Sequence, residues 1–250
     1  MDKLMIASDL HGSARYSELL LHRFRQEGAE RLLLLGDLLY HGPRNDLPEG
    51  YAPKQVIELL NGVREHLLCV RGNCDGEVDQ MVLDFPILAE YAVLTWGGRA
   101  LYAVHGHRPL PPLLPRDVVV QGHTHIPGWQ RREEGFTLNP GSVSLPKNGS
   151  RRSYLTAEGT VFSWKDLTTG ETWQTLDLEH PEDCRQAGTR TKSAAGISGG
   201  APCLRNGISP DTFAAAAAAP GCQWAWTHGR SSRTPGTSGC PRRRRPPSWR

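Results

Sequence analysis

Asp9 and His11 are the first side chains in this chain that could bind a metal ion together. They follow the apolar run 4–7, which predicts a buried strand. Residues two apart in an extended segment face the same side, so both side chains could reach one ion. A carboxylate oxygen beside an imidazole nitrogen suits Mn, Fe, Zn or Ni. Because such a pair also occurs as ordinary loop polarity, it predicts a metal site only where other strand ends carry similar residues.

Four later apolar runs end in the same kinds of side chain. These side chains are Asp37, Asn73, His105, and the pair His123 and His125. Glycine lies close to each of them in sequence, and glycine lets the backbone turn tightly and approach a ligand closely. Seven residues of ligand type at five strand ends are enough for two metal ions that share one carboxylate.

The elements that must position these residues alternate between strand and helix in the first part of the chain. Apolar runs predict strands at 4–7, 31–35 and 67–71. Capping signals predict one helix between Ser13 and Gly28, and a second helix that begins at Pro53 and runs to Arg64.

The second part of the chain is mostly strand. Gly97 and Gly98 are a hairpin turn signal between the apolar pieces 91–96 and 100–104. Further strands are predicted at 117–121, 136–138, 153–157, 160–165 and 171–177. The whole pattern predicts an α/β fold, in which two sheets pack in layers with helices outside and one site lies along the C-terminal strand ends.

Two further segments carry residues that could take part in chemistry. Residues 40–52 form a loop rich in Gly and Pro after Asp37, and loops in that position often contact substrate. His41 and Arg44 are therefore candidates for phosphate contact, with a plain solvated loop as the alternative. Cys74, next to Asn73, could be a soft metal ligand, an acid or a small buried residue.

Charge and composition separate a body, 1–180, from a tail, 181–250. The tail carries 11 Lys/Arg and 3 Asp/Glu, so the overall charge of +3 leaves a net −5 on the body. We expect the tail to be a disordered, basic, low-complexity segment. Its composition is also what a GC-rich gene read in a shifted frame would give, so a frameshift product is one hypothesis and a functional basic arm is the other.

The compartment and the cysteines follow from the same composition. No apolar run approaches the roughly 18 residues of a membrane span, and the N-terminus has no signal-peptide pattern, so we expect a cytoplasmic protein that does not bind membranes. In that compartment Cys69 and Cys74 are expected to be unpaired. The four cysteines of the tail lack the spacing of a zinc site.

The order of the motifs resembles a known family. Asp-x-His, Gly-Asp, Gly-Asn-x-Asp, His-Gly-His and Gly-His-Thr-His follow one another as in the calcineurin-like metallophosphoesterases. Within that family, the segments 7–13, 42–45, 47–53, 70–75 and 139–144 resemble the bacterial YfcE-type phosphodiesterases. The resemblance covers roughly residues 1–178. It implies a four-layer sandwich of two mainly mixed sheets flanked by helices, with a dinuclear metal site at the strand ends.

The resemblance also implies a ligand set and a reaction. One metal would be bound by Asp9, His11, Asp37 and His125, and the other by Asp37, Asn73, His105 and His123. The metals would be two divalent ions, most commonly Mn²⁺, with Ni, Co, Fe or Zn as alternatives. A hydroxide that bridges them would attack phosphorus. The YfcE-type branch implies small phosphodiester substrates with little activity on monoesters, and its relatives are often homo-oligomers.

Cys74 departs from the family pattern, because many members have there a histidine that is thought to protonate the leaving group. A thiol with a pKa of about 8.5 replaces that histidine poorly, so we expect a preference for good leaving groups. Arg44, Cys74 and His107 are the candidate catalytic residues, through contact with the phosphate or the leaving group. His107 could touch the phosphate or the leaving group, or it could orient a metal ligand.

Two other functions are weaker alternatives. A non-catalytic scaffold with this fold is disfavoured, because all seven ligand positions carry usable residues. A nuclease is disfavoured, because the body is acidic and shows no aromatic and basic platform for nucleic acid.

Overall fold

The structure, a computed structural model, describes residues 2–110, 112–133, 135–183 and 185–186. Its strands are β1 (Lys3–Ala7), β2 (Arg31–Leu34), β3 (Leu67–Cys69), β4 (Tyr91–Trp96), β5 (Arg99–Val104), β6 (Asp117–Gln121), β7 (Gly128–Arg132), β8 (Gly135–Asn139), β9 (Ser153–Glu158), β10 (Val161–Asp166), β11 (Thr172–Asp177) and β12 (Arg185–Gln186). Its helices are α1 (Ala14–Glu27), α2 (Pro53–Asn61) and α3 (Glu77–Gln80), with 3-10 turns at Arg64–His66 and Pro181–Asp183.

The strands form two mixed sheets. The order in the first sheet is β12-β11-β10-β9-β1-β2-β3, where β1, β2 and β3 are parallel and the other strands are antiparallel to their neighbours. The order in the second sheet is β4-β5-β6-β8-β7, where β5, β6 and β8 are parallel and β4 and β7 are antiparallel. The predicted α/β fold of two mixed sheets flanked by helices is confirmed.

Both faces of the first sheet are buried. Leu4 and Ile6 of β1 belong to an apolar core shared with the second sheet, whereas Met5 and Ala7 belong to a core shared with α1 and α2. Successive side chains of a strand point to opposite faces, so β1 must be apolar at every position. The continuous apolar runs of this sequence are therefore a consequence of a sheet covered on both sides.

Helix α1 has the caps that its sequence predicts. The hydroxyl of Ser13 accepts a hydrogen bond from the backbone N–H of Tyr16, at 3.3 Å. At the other end, Gly28 has a left-handed backbone with φ of 62°, and its N–H donates to the carbonyl oxygen of Arg25. This cap sets the length of the helix and the return of the chain toward β2.

Helix α2 begins at Pro53 as predicted but ends earlier than predicted. It stops at Asn61, and Arg64, the predicted end of the helix, instead begins a 3-10 turn that runs to His66. Asn61 and Gly62 are both weak helix formers, so the chain tightens into this turn before β3.

The apolar patterns do not predict β7, α3 or β12. β7 lies at the edge of the second sheet and is charged at Arg131 and Arg132, so its strand character comes from its hydrogen bonds to β8. β12 is only two residues long and pairs with β11. Such short or edge elements depend on a partner backbone more than on an apolar period of their own.

Glu27, the last residue of α1, ties that helix to the first sheet. Its carboxylate accepts hydrogen bonds from Lys165 Nζ at 2.7 Å and from the hydroxyl of Tyr154 at 2.8 Å, and Lys3 Nζ lies 3.0 Å away. Burial alone would raise the pKa of Glu27, but these hydrogen bonds outweigh burial and lower the pKa below its ordinary value. The ionised form of Glu27 therefore stabilises the fold.

The predicted tail is described only at its start, by the 3-10 turn at Pro181–Asp183 and by β12. The rest of 181–250 lies outside the described residues, so its disorder and the domain boundary at 180 stay predictions. Cys69 and Cys74 are free thiols, as expected. Within the described ranges, no helix has both the length and the apolar character that crossing a bilayer would require.

Candidate metal centre

Strand ends from both sheets bring the seven predicted ligands together. In the first sheet Asp9 and His11 follow β1, Asp37 follows β2 and Asn73 follows β3; in the second sheet His105 follows β5, and His123 and His125 follow β6. Five of the seven are buried, whereas His123 is half-buried and Asn73 is exposed. The cluster therefore opens to solvent on the side of Asn73 and His123.

Three residues form the first donor set. Oδ1 of Asp9 lies 3.6 Å from Nε2 of His11 and 3.3 Å from Nε2 of His125. The two Nε2 atoms are 3.2 Å apart. One ion placed among these atoms would be bound by a carboxylate oxygen and two imidazole nitrogens.

The second donor set is centred on Nε2 of His105. That nitrogen lies 3.0 Å from Oδ1 of Asn73, 3.3 Å from Nδ1 of His123 and 3.5 Å from Oδ2 of Asp37. Oδ2 of Asp37 also lies 3.7 Å from Nε2 of His11, in the first set. Asp37 thus stands between the two sets, where a carboxylate shared by two ions has to be.

Backbone carbonyls fix the orientation of three histidine rings. Nδ1 of His11 lies 2.8 Å from the carbonyl oxygen of Tyr40, Nδ1 of His105 lies 2.7 Å from that of Leu35, and Nδ1 of His125 lies 2.6 Å from that of Leu145. A carbonyl can only accept, so each Nδ1 carries the hydrogen and donates it. When it is neutral, each ring therefore directs the lone pair of Nε2 into the cluster, as in metal-binding histidines.

The backbone at these strand ends is unusual. Seven non-glycine residues in the described ranges have positive φ, and five of them belong to the predicted ligands: Asp9, His11, Asp37, His123 and His125, with φ between 47° and 67°. Such a conformation is uncommon for residues other than glycine and concentrates at functional sites. The expectation that Asp9 and His11 lie on an extended segment is wrong, because both residues are left-handed. Their side chains nevertheless meet.

Two glycines are required by close approach between these turns. A Cβ on Gly72 would lie 2.2 Å from Oδ1 of Asp37, and a Cβ on Gly122 would lie 1.9 Å from Oγ of Ser8 and 2.9 Å from Oδ2 of Asp9. Any side chain at either position would push a carboxylate of the cluster out of place.

The donor atoms of this cluster would be satisfied better by a bound cation than they are by one another. With their Nδ1 atoms acting as donors and both rings neutral, as metal-binding histidines are, His11 and His125 direct two lone pairs at each other across 3.2 Å. Oδ1 of Asp9, which is fully buried, has no hydrogen-bond partner of good geometry. Buried polar atoms are normally satisfied, so this oxygen and these nitrogens indicate a positively charged ligand among them.

The electrostatics agree with a positive charge at this position. Burial lowers the pKa of both His11 and His105, but hydrogen bonds and charge from Asp9 and Asp37 outweigh it and raise both values, that of His105 to about 9. Burial, together with the charge on His105, lowers the pKa of His123 to about 4. The carboxylates therefore favour positive charge here, while the closely spaced rings cannot all carry protons.

The candidates for substrate contact lie at different distances from this cluster. The Cys74 sulfur lies within 4.8 Å of donor atoms of His11 and Asp37, and burial and the Asp37 carboxylate raise the pKa of its thiol. The ring of His107 is centred 5.4 Å from that of His105. Arg44 is exposed in the loop 40–52, and no contact joins it to the cluster.

His41 packs its ring against Tyr40 and Tyr51, with ring centres at 4.7 Å and 5.4 Å. It is part of the loop that supplies the Tyr40 carbonyl to His11, so this loop contacts the cluster through its backbone. Beside the second donor set, a pocket lined by Tyr91 and Arg108 opens next to His105 and His107.

Sequence reasoning did not assign a role to Asp75. Its buried carboxylate accepts three backbone hydrogen bonds, from Asp37 at 2.8 Å, Leu38 at 2.9 Å and Gly72 at 2.8 Å. Burial raises its pKa, and these bonds oppose the rise. Asp75 thereby joins the turn after β2 to the turn after β3. Its place three residues after Gly72 was a signal, because Asp often accepts from nearby N–H groups in turns.

The segment 139–144 holds two other turns. The hydroxyls of Ser142 and Ser144 donate to the carbonyl oxygen of Asp9, at 2.9 Å and 3.1 Å. The side-chain amide of Asn139 donates to the carbonyl oxygen of Gly122 at 2.8 Å. This segment therefore braces the turns that carry Asp9, His123 and His125.

Comparison with known families agrees with this geometry. The model of the calcineurin-like phosphoesterase superfamily domain matches residues 3–160. The chain belongs to the calcineurin-like phosphoesterase superfamily. Members of such a metallophosphoesterase fold bind divalent metal ions, and the cluster described above has the donors for them.

Individual relatives support the same family. The chain is 51% identical over 167 residues to a protein named Phosphodiesterase YfcE from Escherichia coli (strain K12), a match over 65% of this chain and 91% of that protein. A solved structure of Yfce, described as a phosphoesterase from E. coli, superimposes with a TM-score of 0.68 at 48% identity, over 70% of this chain and 99% of that one. A probable metallophosphoesterase YsnB from Bacillus subtilis (strain 168) is 26% identical over 60% of this chain and 80% of its own length. The predicted family is confirmed.

Proposed function

We propose that this chain is a divalent-metal-dependent phosphodiesterase that hydrolyses small phosphodiesters and has little activity on monoesters. The observation that carries the proposal is the convergence of five strand-end turns on two donor sets, with Asp37 between them. The identity to a relative named as a phosphodiesterase supports the choice of diesters.

We assign one metal to Asp9, His11, Asp37 and His125 and the other to Asp37, Asn73, His105 and His123. Mn²⁺ is the proposed metal, and Ni, Co, Fe or Zn could occupy the same oxygen and nitrogen donors. When bound, two such ions neutralise phosphoryl oxygens and lower the pKa of the water that attacks phosphorus.

The chain itself supplies orientation. The carbonyls of Leu35, Tyr40 and Leu145 hold three imidazoles with Nε2 toward the ions, so little reorganisation is needed when a metal binds. Arg44, which has no ion-pair partner among the described residues, is free to bind an anionic phosphate as substrate arrives.

The leaving group is proposed to lie in the pocket beside His105 and His107. His107 accepts a hydrogen bond from Nε of Arg108 through its own Nε2, at 3.2 Å, so its Nδ1 carries the hydrogen, and that buried Nδ1 has no acceptor. Because that Nδ1 is closed to solvent, its N–H would reach an ester oxygen in the pocket only after a rotation of the ring. The Cys74 thiol is neutral, because burial and the Asp37 carboxylate raise its pKa, and it is a weak acid. Good leaving groups are therefore preferred.

The remaining expectations rest on the sequence alone. A cytoplasmic location, the absence of membrane and nucleic-acid partners, and a homo-oligomeric state stay predictions. Size-exclusion chromatography with light scattering would measure the oligomeric state directly.

The test is hydrolysis of bis-p-nitrophenyl phosphate and of p-nitrophenyl phosphate by metal-stripped full-length protein, before and after Mn²⁺ is added. We expect Mn²⁺-dependent cleavage of the diester and much slower cleavage of the monoester. His123→Ala removes a proposed ligand and should reduce the diesterase rate by at least about 100-fold, more than loss of an outer partner of a ligand usually costs. His22→Ala, an exposed histidine of α1, is the matched control and should keep the wild-type rate.

Failure to cleave either ester with Mn²⁺, Ni²⁺, Co²⁺ or Zn²⁺, in protein shown to be folded by circular dichroism, would remove the proposal and favour the scaffold. Equal rates on both esters would support a metal-dependent phosphoesterase and contradict the proposed preference for diesters.

A further inference from the structure

One donor cluster of the site contains sulfur. Cys74 Sγ, a nitrogen of His11 and a carboxylate oxygen of Asp37 all lie within 4.8 Å of one another. The nitrogen available in His11 is Nε2, because Nδ1 donates to the carbonyl oxygen of Tyr40. The other two clusters found among the described residues contain only carboxylates and imidazoles.

The position of the Cys74 side chain is fixed by its surroundings. The backbone N–H of Cys74 donates to Oδ1 of Asp37 at 2.8 Å, and the side-chain amide of Asn73 donates to Sγ at 3.2 Å. On the opposite side, Gly42 packs so closely that a Cβ there would lie 3.3 Å from Sγ. The sulfur is therefore held beside the cluster and half-buried.

A second observation points to a cation in the same place. The fully buried Oδ1 of Asp9 has no hydrogen-bond partner of good geometry, and it lies 3.6 Å from Nε2 of His11, which is a member of the sulfur cluster. Asp37 and His11 thus have oxygen or nitrogen donors nearby as well as the sulfur of Cys74. An ion bound by His11 can therefore lie either toward the carboxylate of Asp9 or toward the sulfur of Cys74.

We propose that His11, Asp37 and Cys74 form a site for a soft divalent ion such as Cd²⁺, and that filling it excludes Mn²⁺ from the first metal position. Thiolate sulfur selects soft ions, whereas the carboxylate, imidazole and amide donors of the remaining site suit Mn²⁺. On binding, the S–H bond is replaced by a bond from sulfur to the ion, and the proton is released to solvent.

The inference rests on the proposed function, because it shares two of the proposed ligands. Its consequence is that Cd²⁺ inhibits the Mn²⁺-dependent enzyme at concentrations that would not inhibit an enzyme whose metal site has only oxygen and nitrogen donors. A histidine at position 74 would keep a nitrogen donor and lose the sulfur selectivity.

The experiment uses the full-length chain with its four tail cysteines, Cys184, Cys203, Cys222 and Cys240, replaced by serine. Metal-stripped protein is titrated with Cd²⁺, and the ultraviolet thiolate-to-Cd²⁺ charge-transfer absorption is followed. We expect absorption that saturates at one ion per chain and is displaced by Zn²⁺. Adding Cys74→Ser to this background should abolish the absorption and weaken inhibition by Cd²⁺ at least about 10- to 100-fold, the loss that even an outer partner of a ligand produces.

Cys69→Ala in the same background is the matched control. Cys69 is a buried thiol at the end of β3 that belongs to none of the three donor clusters. The Cd²⁺ absorption of this variant and its inhibition by Cd²⁺ should therefore equal those of the background protein. If Cys74→Ser does not fold, Cys74→Ala, which keeps the backbone N–H to Asp37, replaces it and must also lose the absorption.

Absence of the absorption in the background protein, or its persistence without Cys74, would overturn the inference. Mn²⁺-dependent diester cleavage measured on the same samples separates the two proposals. Cleavage without the Cd²⁺ absorption leaves the proposed function standing, and the absorption without cleavage leaves only the sulfur site.

Discussion

Asp75→Asn tests whether the Asp75 carboxylate holds the turn that carries Asp37. Asp75 is not itself a proposed ligand of metal or substrate. Oδ2 of Asp75 accepts from the N–H groups of Asp37 and Gly72, and Oδ1 accepts from the N–H of Leu38. An asparagine has the same size but only one oxygen. Its NH₂ group must therefore face at least one backbone N–H, donor against donor.

The magnitude follows from these three bonds. An unpaired buried donor costs about 1–3 kcal/mol, and the bonds that remain lose the strengthening that a charged acceptor gives. Removal of a buried charge offsets part of this cost, because burial disfavours the ionised form of Asp75. We expect a net loss of about 2–3 kcal/mol in the free energy of unfolding, which for a domain of this size lowers the melting temperature by about 4–12 °C.

The assay is thermal unfolding of metal-free protein, followed by circular dichroism, together with calorimetric titration of Mn²⁺. Because Asp37 has a left-handed backbone that its neighbours must hold, we expect Mn²⁺ affinity to fall about 10- to 100-fold. Asp79→Asn is the control, because Asp79 accepts only one backbone N–H, from Gly76 at 2.7 Å, and the amide oxygen can replace it. A variant at Asp75 with wild-type melting temperature and wild-type Mn²⁺ affinity would refute the reasoning.

Three further predictions concern other parts of the molecule. Glu27→Gln should cost about 1.5–3 kcal/mol of unfolding free energy at pH 7. Urea titrations should show this cost shrinking as the pH falls below the ordinary glutamate pKa and through the lower pKa of folded Glu27, because a lowered carboxyl pKa stabilises the fold only while the group is ionised. Gly122→Ala should abolish Mn²⁺ binding in calorimetry, because its Cβ would collide with the turn of Asp9, whereas Gly76→Ala, where the nearest atom is 3.7 Å away, should bind normally. Arg44→Ala should raise KM for the diester about tenfold, or about 1.4 kcal/mol, with kcat little changed, as steady-state kinetics would show; an unchanged KM would remove Arg44 from substrate binding.

The kinds of side chain at the site could be predicted because each stands beside a pattern that is local in sequence. Asp37 follows an apolar run and His105 follows a hairpin strand, and within each sheet the parallel strands bring their ends to one edge whatever loops lie between them. The caps of α1 are equally local, since Ser13 bonds three residues ahead. The bounds of α2 and the existence of β7 were less predictable, because they depend on competing turns and on a partner strand.

The chemistry of the site was decided only by the tertiary structure. The choice of Nε2 in His125 depends on the carbonyl of Leu145, 20 residues away, and the position of Asp37 depends on Asp75, 38 residues away. Neither contact follows from residue spacing. Cys74 shows the same limit. Its sequence neighbours are compatible with a role as metal ligand, as acid or as packing residue, and only the folded chain places its sulfur beside His11. The sequence by itself determined which donors exist and which strands carry them. The tertiary structure decided which atoms face one another, because turn conformation and hydrogen bonds between distant segments orient each side chain.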